Sequence, residues 1–413
     1  MKVILLSTSA KSLIDFPSGD GYHIRCSQLL RVLMASKLIQ KIYSIEIRES
    51  SNISYRTSVA VIGKYTGIPL WSSPIRLRKL KCTLMDHIAD FFPTILLFLR
   101  MIRTRYSLRA LLDGDLIIIE NVYPLFPFVV FLCIISKLLG KPVILDMGDV
   151  LSFGRPLKFV RLITYLVIES IYARLCDIIV FVTDDEKIYF SRIFHRKINL
   201  LTIPICYPLL MEANVTVHSM SMELETLIDG KKIVLFSGDL NSPFNISAVN
   251  YIINSLAPFF LERDDVTFVI CGRGRERFMD KALPSNVYFT GFLPKEHYQL
   301  LLEKAVVCIA PMVYNTGLKT KILEYAFQRK VVVISPQATP GLPIREMPSI
   351  IVSKLDTFPQ VLRDVLYRIN FFKNLTEKTY QVVIEKFSFD AFKYKWENLL
   401  SNVVKCKIKH ENI

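Results

Sequence analysis

Short β-branched apolar runs alternate along this chain with longer stretches of helical periodicity, and the alternation predicts buried parallel strands joined by helices. Residues 3–6, 116–119, 143–145 and 178–182 are such runs in the first half. The pattern pauses at Pro204 and Pro208 and through a polar stretch to Gly230, then resumes with strands expected at 233–236, 266–270, 287–289, 306–310 and 331–334. The reading is an α/β chain with a first domain over 1–210, a second over 231–386, and a terminal helix and tail over 387–413. In that last segment Phe389, Phe392, Trp396, Leu399 and Leu400 fall at helical spacing. At 413 residues the chain exceeds what one hydrophobic core usually supports, which agrees with two domains. MKVILLSTSAKS reads as the first strand, because its apolar run is too short for a signal peptide. The longest apolar stretch, 125–135, contains Pro127 and falls short of the roughly 18 residues a spanning helix needs.

One segment breaks the alternation. Residues 75–112 carry eight basic side chains against Asp86 and Asp90, around the apolar block FFPTILLFL. Such a segment suits a membrane interface, with apolar side chains in the acyl boundary and arginines on lipid phosphates; a helical pair packed on the sheet is the plainer alternative. Composition points the same way. Apolar residues make up 51%, and the net charge of +15 favours an anionic partner: phosphate, acidic lipid or nucleic acid. No aromatic ladder or helix-turn-helix pattern accompanies the basic run, so nucleic acid is not expected. The eight cysteines lack any CxxC spacing and read as reduced, buried thiols of a cytosolic protein.

Candidate chemistry gathers where strands run into helices. DFPSGDGYHIR, 15–25, follows the first strand, and Gly19 and Gly21 allow a backbone turn close enough to meet a diphosphate at a helix start. Taken alone, a GxG in this place is also consistent with a simple tight turn. After the strand at 306–310 comes PMVYNTGLKTKILEYAFQRKVVVISPQATPGL, 311–342. Gly317 frees backbone N–H groups at a helix start, Lys319 and Lys321 add positive charge, and Glu324 within the helix offers a carboxylate that can accept from two vicinal ribose hydroxyls. Asp113 and Asp115 form a DxD, a pattern that binds metal in some transferases. It sits in a loop before a buried strand and reads as a turn. The six histidines have no zinc-site spacing.

The 311–342 stretch resembles the nucleotide-binding segment of glycosyltransferase family 4, in which a Gly-Leu-Lys-x-Lys-x-x-Glu helix follows a strand. FSGDLNSPFNISAVNYI at 236–252, CGRG at 271–274 and FTGFLPKEHY at 289–298 continue the likeness in order. The resemblance covers nearly all of the chain beyond Lys231 and is fainter before it. It implies a GT-B fold, two Rossmann-like domains with parallel sheets facing across a cleft. It further implies that Glu324 holds the ribose, that Lys319 and the Gly317–Leu318 backbone meet the diphosphate, that Arg273 lines the donor site, and that Gly19 and Gly21 form the first-domain glycine loop. Two positions depart from the family's pattern. Thr316 stands where a second Glu is common, and in ILDMGD, 144–149, Gly148 stands where a His is common. Asp149 and Asp146 are the remaining catalytic candidates there.

The expected activity is therefore transfer of a hexose-type sugar from a nucleotide-sugar to a lipid-linked saccharide acceptor. Retention of configuration, no metal or other cofactor, and a place in bacterial surface polysaccharide synthesis complete the expectation. The expected location is cytoplasmic, peripheral on the anionic inner face of the membrane. A GT-B sugar-nucleotide epimerase and a non-catalytic nucleotide- or partner-binding relative are the alternatives.

Overall fold

The computed structural model describes residues 1–8, 21–49, 60–62, 65–72, 105–120, 126–154, 157–195, 199–207, 230–314 and 317–411. The chain divides into two compact units, Met1–Ile205 together with Asp390–Ile413, and Cys206–Phe389.

The first unit is built on strands β1 (Lys2–Thr8), β2 (Lys41–Glu49), β3 (Ala60–Ile62), β4 (Tyr65–Ser72), β5 (Leu116–Glu120), β6 (Val143–Met147), β7 (Ile178–Phe181) and β8 (Asn199–Thr202), in the order β3-β4-β2-β1-β5-β6-β7-β8. All the pairings are parallel except β3 with β4. Helices α1 (Gly21–Ala35), α2 (Arg105–Asp113), α3 (Phe126–Leu138), α4 (Phe159–Leu175) and α5 (Asp184–Ile193) connect them. Strands β5, β6 and β7 are buried along their whole length, which is why they read as continuous apolar runs. Phe128, Leu132, Tyr172 and Phe190 from the helices fill the core against them.

The second unit carries β9 (Lys232–Ser237), β10 (Val266–Cys271), β11 (Val287–Gly291), β12 (Val307–Ala310), β13 (Val331–Ile334) and β14 (Ile350–Val352), all parallel, in the order β11-β10-β9-β12-β13-β14. Its helices include α6 (Pro243–Tyr251), α7 (Lys295–Lys304), α8 (Thr320–Phe327), α9 (Phe358–Tyr367), α10 (Ile369–Lys373) and α11 (Thr376–Phe387).

The helix expected over 387–413 is α12, Phe389–Glu411. From Asp390 it groups with the first unit rather than forming a separate tail after the second. Phe392 and Trp396 are buried there, with the Arg25 guanidinium 5.8 Å from the Phe392 ring. Of the basic segment at 75–112, residues 75–104 lie outside the described residues, and the remainder falls in α2. The apolar stretch at 125–135 falls largely in α3. Among the described residues no helix is long and apolar enough to cross a membrane.

Candidate functional site

In open parallel sheets, ligands meet the carboxyl ends of the strands where the strand order reverses, because neighbouring loops part there. In the second unit that place lies between β9 and β12. Strand β9 ends at Ser237. The next residue, Gly238, passes so close to Gly272 after β10 that a Cβ on Gly272 would lie 1.8 Å from the Gly238 carbonyl oxygen. Strand β12 leads through Gly317, held at a φ of +53°, into α8. No described side chain caps α8, whose Ncap is Lys319, so its first N–H groups and positive dipole end suit an anion.

Glu324 sits one turn into α8 and its two oxygens are used separately. Oε2 accepts from the Tyr298 hydroxyl at 2.7 Å and Oε1 from the Tyr207 hydroxyl at 3.3 Å. Burial pushes its carboxyl up, while the two tyrosines and Lys321 pull the other way. The Tyr298 hydroxyl also lies 3.0 Å from Ser237 Oγ, which is 2.8 Å from the Tyr325 hydroxyl; that hydroxyl accepts from the Ser237 backbone N–H at 2.8 Å. A connected polar network thus ties the end of β9, α7 and α8 around the carboxylate. Burial and the Glu324 charge raise the hydroxyls of both Tyr207 and Tyr298, which stay protonated donors.

The other residues expected at the donor site divide. The Lys321 ammonium donates to Asn245 Oδ1 at 2.8 Å and lies 4.1 Å from the centre of the Phe236 ring. Burial first, and the Lys319 charge second, bring its pKa down to about 7. Lys319 Nζ donates to the Gly317 carbonyl at 3.0 Å, folding back over the loop, with Leu318 half-buried between. Arg273 is exposed after β10 with its guanidinium 4.6 Å from the centre of the Phe292 ring. Thr316 lies outside the described residues.

In the first unit the reversal lies between β1 and β5. Gly19 lies outside the described residues, and Gly21 opens α1. One turn on, Arg25 makes a bidentate ion pair with Asp146 at the end of β6, Nη2 to Oδ1 at 2.7 Å and Nε to Oδ2 at 2.9 Å, with the two residues 3% and 1% exposed. Both oxygens of Asp146 are thereby engaged. Asp149, three positions on, is half-buried. Its loop is pinned by two buried carboxylates. Glu186 accepts from the Val150 backbone N–H at 3.2 Å, and Glu169 from Ser152 through backbone N–H and hydroxyl at 3.1 and 2.6 Å. Glu186 is placed by Thr183, which caps α5 by accepting from the Glu186 N–H at 3.2 Å. Burial, then the Asp149 charge, raises the Glu186 pKa to about 7.

The DxD aspartates latch β1. Asp113 pairs with Lys2 Nζ at 2.6 Å and accepts from the Tyr43 hydroxyl, and Asp115 accepts from the Lys2 backbone N–H at 2.8 Å.

Sequence reasoning missed Arg25, Glu186, Tyr207, Ser237 and Tyr298. For Glu186 the TDDE capping signature at 183–186 was a usable local signal. The others meet partners from 26 to 121 positions away, and no local pattern announces such pairs.

Residues 231–365 match the profile of the family described as Glycosyl transferases group 1. A sucrose-phosphate synthase from Thermosynechococcus elongatus superposes on 98% of this chain and 99% of its own, with a TM-score of 0.69 at 12% identity. The chain has the GT-B fold, and its second unit carries the group 1 match. An alpha,alpha-trehalose 6-phosphate synthase from Burkholderia multivorans shares the fold over 99% of this chain and 98% of its own length, with a TM-score of 0.67 at 12% identity. Anabaena HepE, in complex with UDP and glucose, matches over 97% and 100% with a TM-score of 0.63 at 14% identity. No curated sequence matches the chain.

Proposed function

We propose that this chain is a glycosyltransferase that takes a nucleotide-sugar as donor, binds its nucleoside diphosphate at the β9–β12 end of the second unit, and passes a hexose-type sugar to a lipid-linked saccharide acceptor. The observation that carries the reading is Glu324. A carboxylate whose two oxygens each accept a separate hydroxyl, at the strand-order reversal of the unit that matches group 1, suits the vicinal hydroxyls of a ribose. UDP and glucose are bound by HepE, and uridine is accordingly the first base to try. On this reading Tyr207 and Tyr298 hold the oxygens until the ribose takes them.

Transfer breaks the bond between the anomeric carbon and the diphosphate oxygen as the acceptor hydroxyl attacks. The charge left on the diphosphate would be met by the start of α8 with Lys319 and Lys321, a role a metal fills elsewhere, so the activity is proposed to be metal-independent. Asp149 would face the acceptor, with Asp146 positioning it through Arg25 and the end of β6. Retention of configuration, a bacterial surface polysaccharide as product and a cytoplasmic, membrane-peripheral location complete the proposal. The apolar and basic character of the first unit supports the lipid-linked acceptor.

The test incubates the protein with labelled UDP-glucose and a bacterial lipid extract, with and without EDTA. Label entering the lipid phase in both, with the product anomer matching the donor's, is the expected result. Label that stays in the nucleotide would overturn the donor assignment, and transfer abolished by EDTA and restored by magnesium would overturn metal independence.

A further inference from the structure

Helix α4 has an outward face that a water-exposed helix does not need. Phe159, Val160, Ile163 and Val167 are 75%, 59%, 44% and 53% exposed and lie along one side, opposite the buried Tyr165, Ile168 and Tyr172 that face the core. A helix apolar on both sides is suited to being covered on both. Next to it, at the end of α3, Leu138 is 81% exposed. Lys137 Nζ donates to the Arg174 carbonyl at 3.1 Å, which brings the carboxyl ends of the two helices together.

Charge decides what covers this face. Lys158 stands exposed just before the apolar stripe and Arg174 exposed at its far end, and Lys137 adds to them from α3. Helix α3 has no acidic residue, and the one carboxylate of α4, Glu169, is 1% exposed and turned inward onto Ser152. A second copy of the chain would set this basic rim, on a protein of net charge +15, against another basic rim. An acidic, oily surface complements it. We propose that the outward face of α4, with the end of α3, docks on an anionic lipid bilayer, its apolar side chains entering the acyl boundary and its basic groups resting on lipid phosphates. The proposal rests on the membrane-bound acceptor put forward above, and it locates the contact outside the basic segment at 75–112.

The experiment sediments the full chain with vesicles of phosphatidylglycerol mixed with phosphatidylcholine, and with vesicles of phosphatidylcholine alone. It compares wild type with the triple variant Phe159→Ser/Ile163→Ser/Val167→Ser and with Ile163→Glu. Wild type should bind the anionic vesicles, less so as salt rises, and both variants should lose affinity by about tenfold or more while keeping wild-type melting temperature and UDP binding. Should the triple variant fold poorly, Ile163→Glu at a half-exposed position carries the comparison. Unchanged vesicle binding by well-folded variants would overturn the α4 face and leave the membrane reading standing. No binding of wild type to either vesicle would remove that reading and this one together. A wild-type dimer that the triple variant turns into a monomer, with vesicle binding unaltered, would assign the face to a second copy and overturn the lipid assignment.

Discussion

Glu324→Gln keeps the shape of the side chain and removes its charge, and the structure sets the size of both consequences. In the unliganded protein the amide still accepts from one tyrosine, while the Tyr298 hydroxyl retains Ser237 Oγ as a neighbour at 3.0 Å. The charge that is lost is one that burial opposes, since the Glu324 carboxyl is raised. The two effects offset, and stability should change by no more than about 1 kcal/mol. Ribose binding is different. A carboxylate accepts from both vicinal hydroxyls, whereas an amide accepts at one and presents N–H at the other, so one charge-assisted hydrogen bond is lost, worth about 1.5–3 kcal/mol. That corresponds to a dissociation constant for UDP weaker by roughly 10- to 150-fold. Calorimetric titration with UDP, and with pyrophosphate as a ligand lacking ribose, reads it directly. The variant should lose UDP affinity, keep pyrophosphate affinity and melt near wild type. Wild-type UDP affinity and turnover in Glu324→Gln would refute the ribose assignment and leave the carboxylate only its contacts with Tyr207 and Tyr298.

Three further outcomes follow from the buried charges. Lys321, with its pKa brought down to about 7, is partly neutral in the free protein at neutral pH and fully charged opposite a bound diphosphate. UDP affinity should fall as pH is raised from about 6 to 9, and Lys321→Met should lose that dependence; a flat wild-type profile would place the amine away from the phosphates. Glu186 favours its protonated form when folded, so its contribution to stability is complete below its ordinary range near 4.5 and is lost as pH rises through about 7. The melting temperature of Glu186→Gln relative to wild type should therefore climb between about pH 5 and 8, by the equivalent of about 2–3 kcal/mol; a constant difference would contradict the raised pKa. Asp146→Asn leaves the Arg25 guanidinium buried and uncompensated, at a cost of about 3–5 kcal/mol in urea unfolding. A variant that stays stable and yet inactive would instead make Asp146 a group that touches substrate.

The elements legible in the sequence were those whose residues all obey one rule. Strands β5, β6 and β7 are covered on both faces, so LIIIE, VILDM and IIVF announce themselves, as do β9, β10, β12 and β13. Strand β2 was hidden by Lys41, Glu46, Arg48 and Glu49 among its isoleucines, and β4 by Gly67 and Pro69, residues that argue against an interior strand. At the sheet edge β8 alternates between exposed and half-buried positions over four residues, too short for a period to register. The spacing of Phe392 and Trp396 revealed a helix but could not say which unit it packs on. The same limit governs the site. Gly317, Lys319, Lys321 and Glu324 are contiguous and could be read together, whereas Arg25 with Asp146, and Tyr207 and Tyr298 with Glu324, are brought together only by the fold. Asp146 and Asp149 stand three positions apart in one motif, and only the fold makes the first fully buried in an ion pair and leaves the second half-buried.

The central claim is that this chain uses a nucleotide-sugar to move a sugar. It is tested most directly by holding the protein with a panel of nucleotide-sugars in the absence of acceptor and identifying the products by nuclear magnetic resonance. A transferase leaks its sugar slowly to water, so free hexose and nucleoside diphosphate should appear together from one donor, with the hexose released in the donor's anomeric form. An isomerised nucleotide-sugar with no free diphosphate, or every donor returned unchanged, would contradict the account.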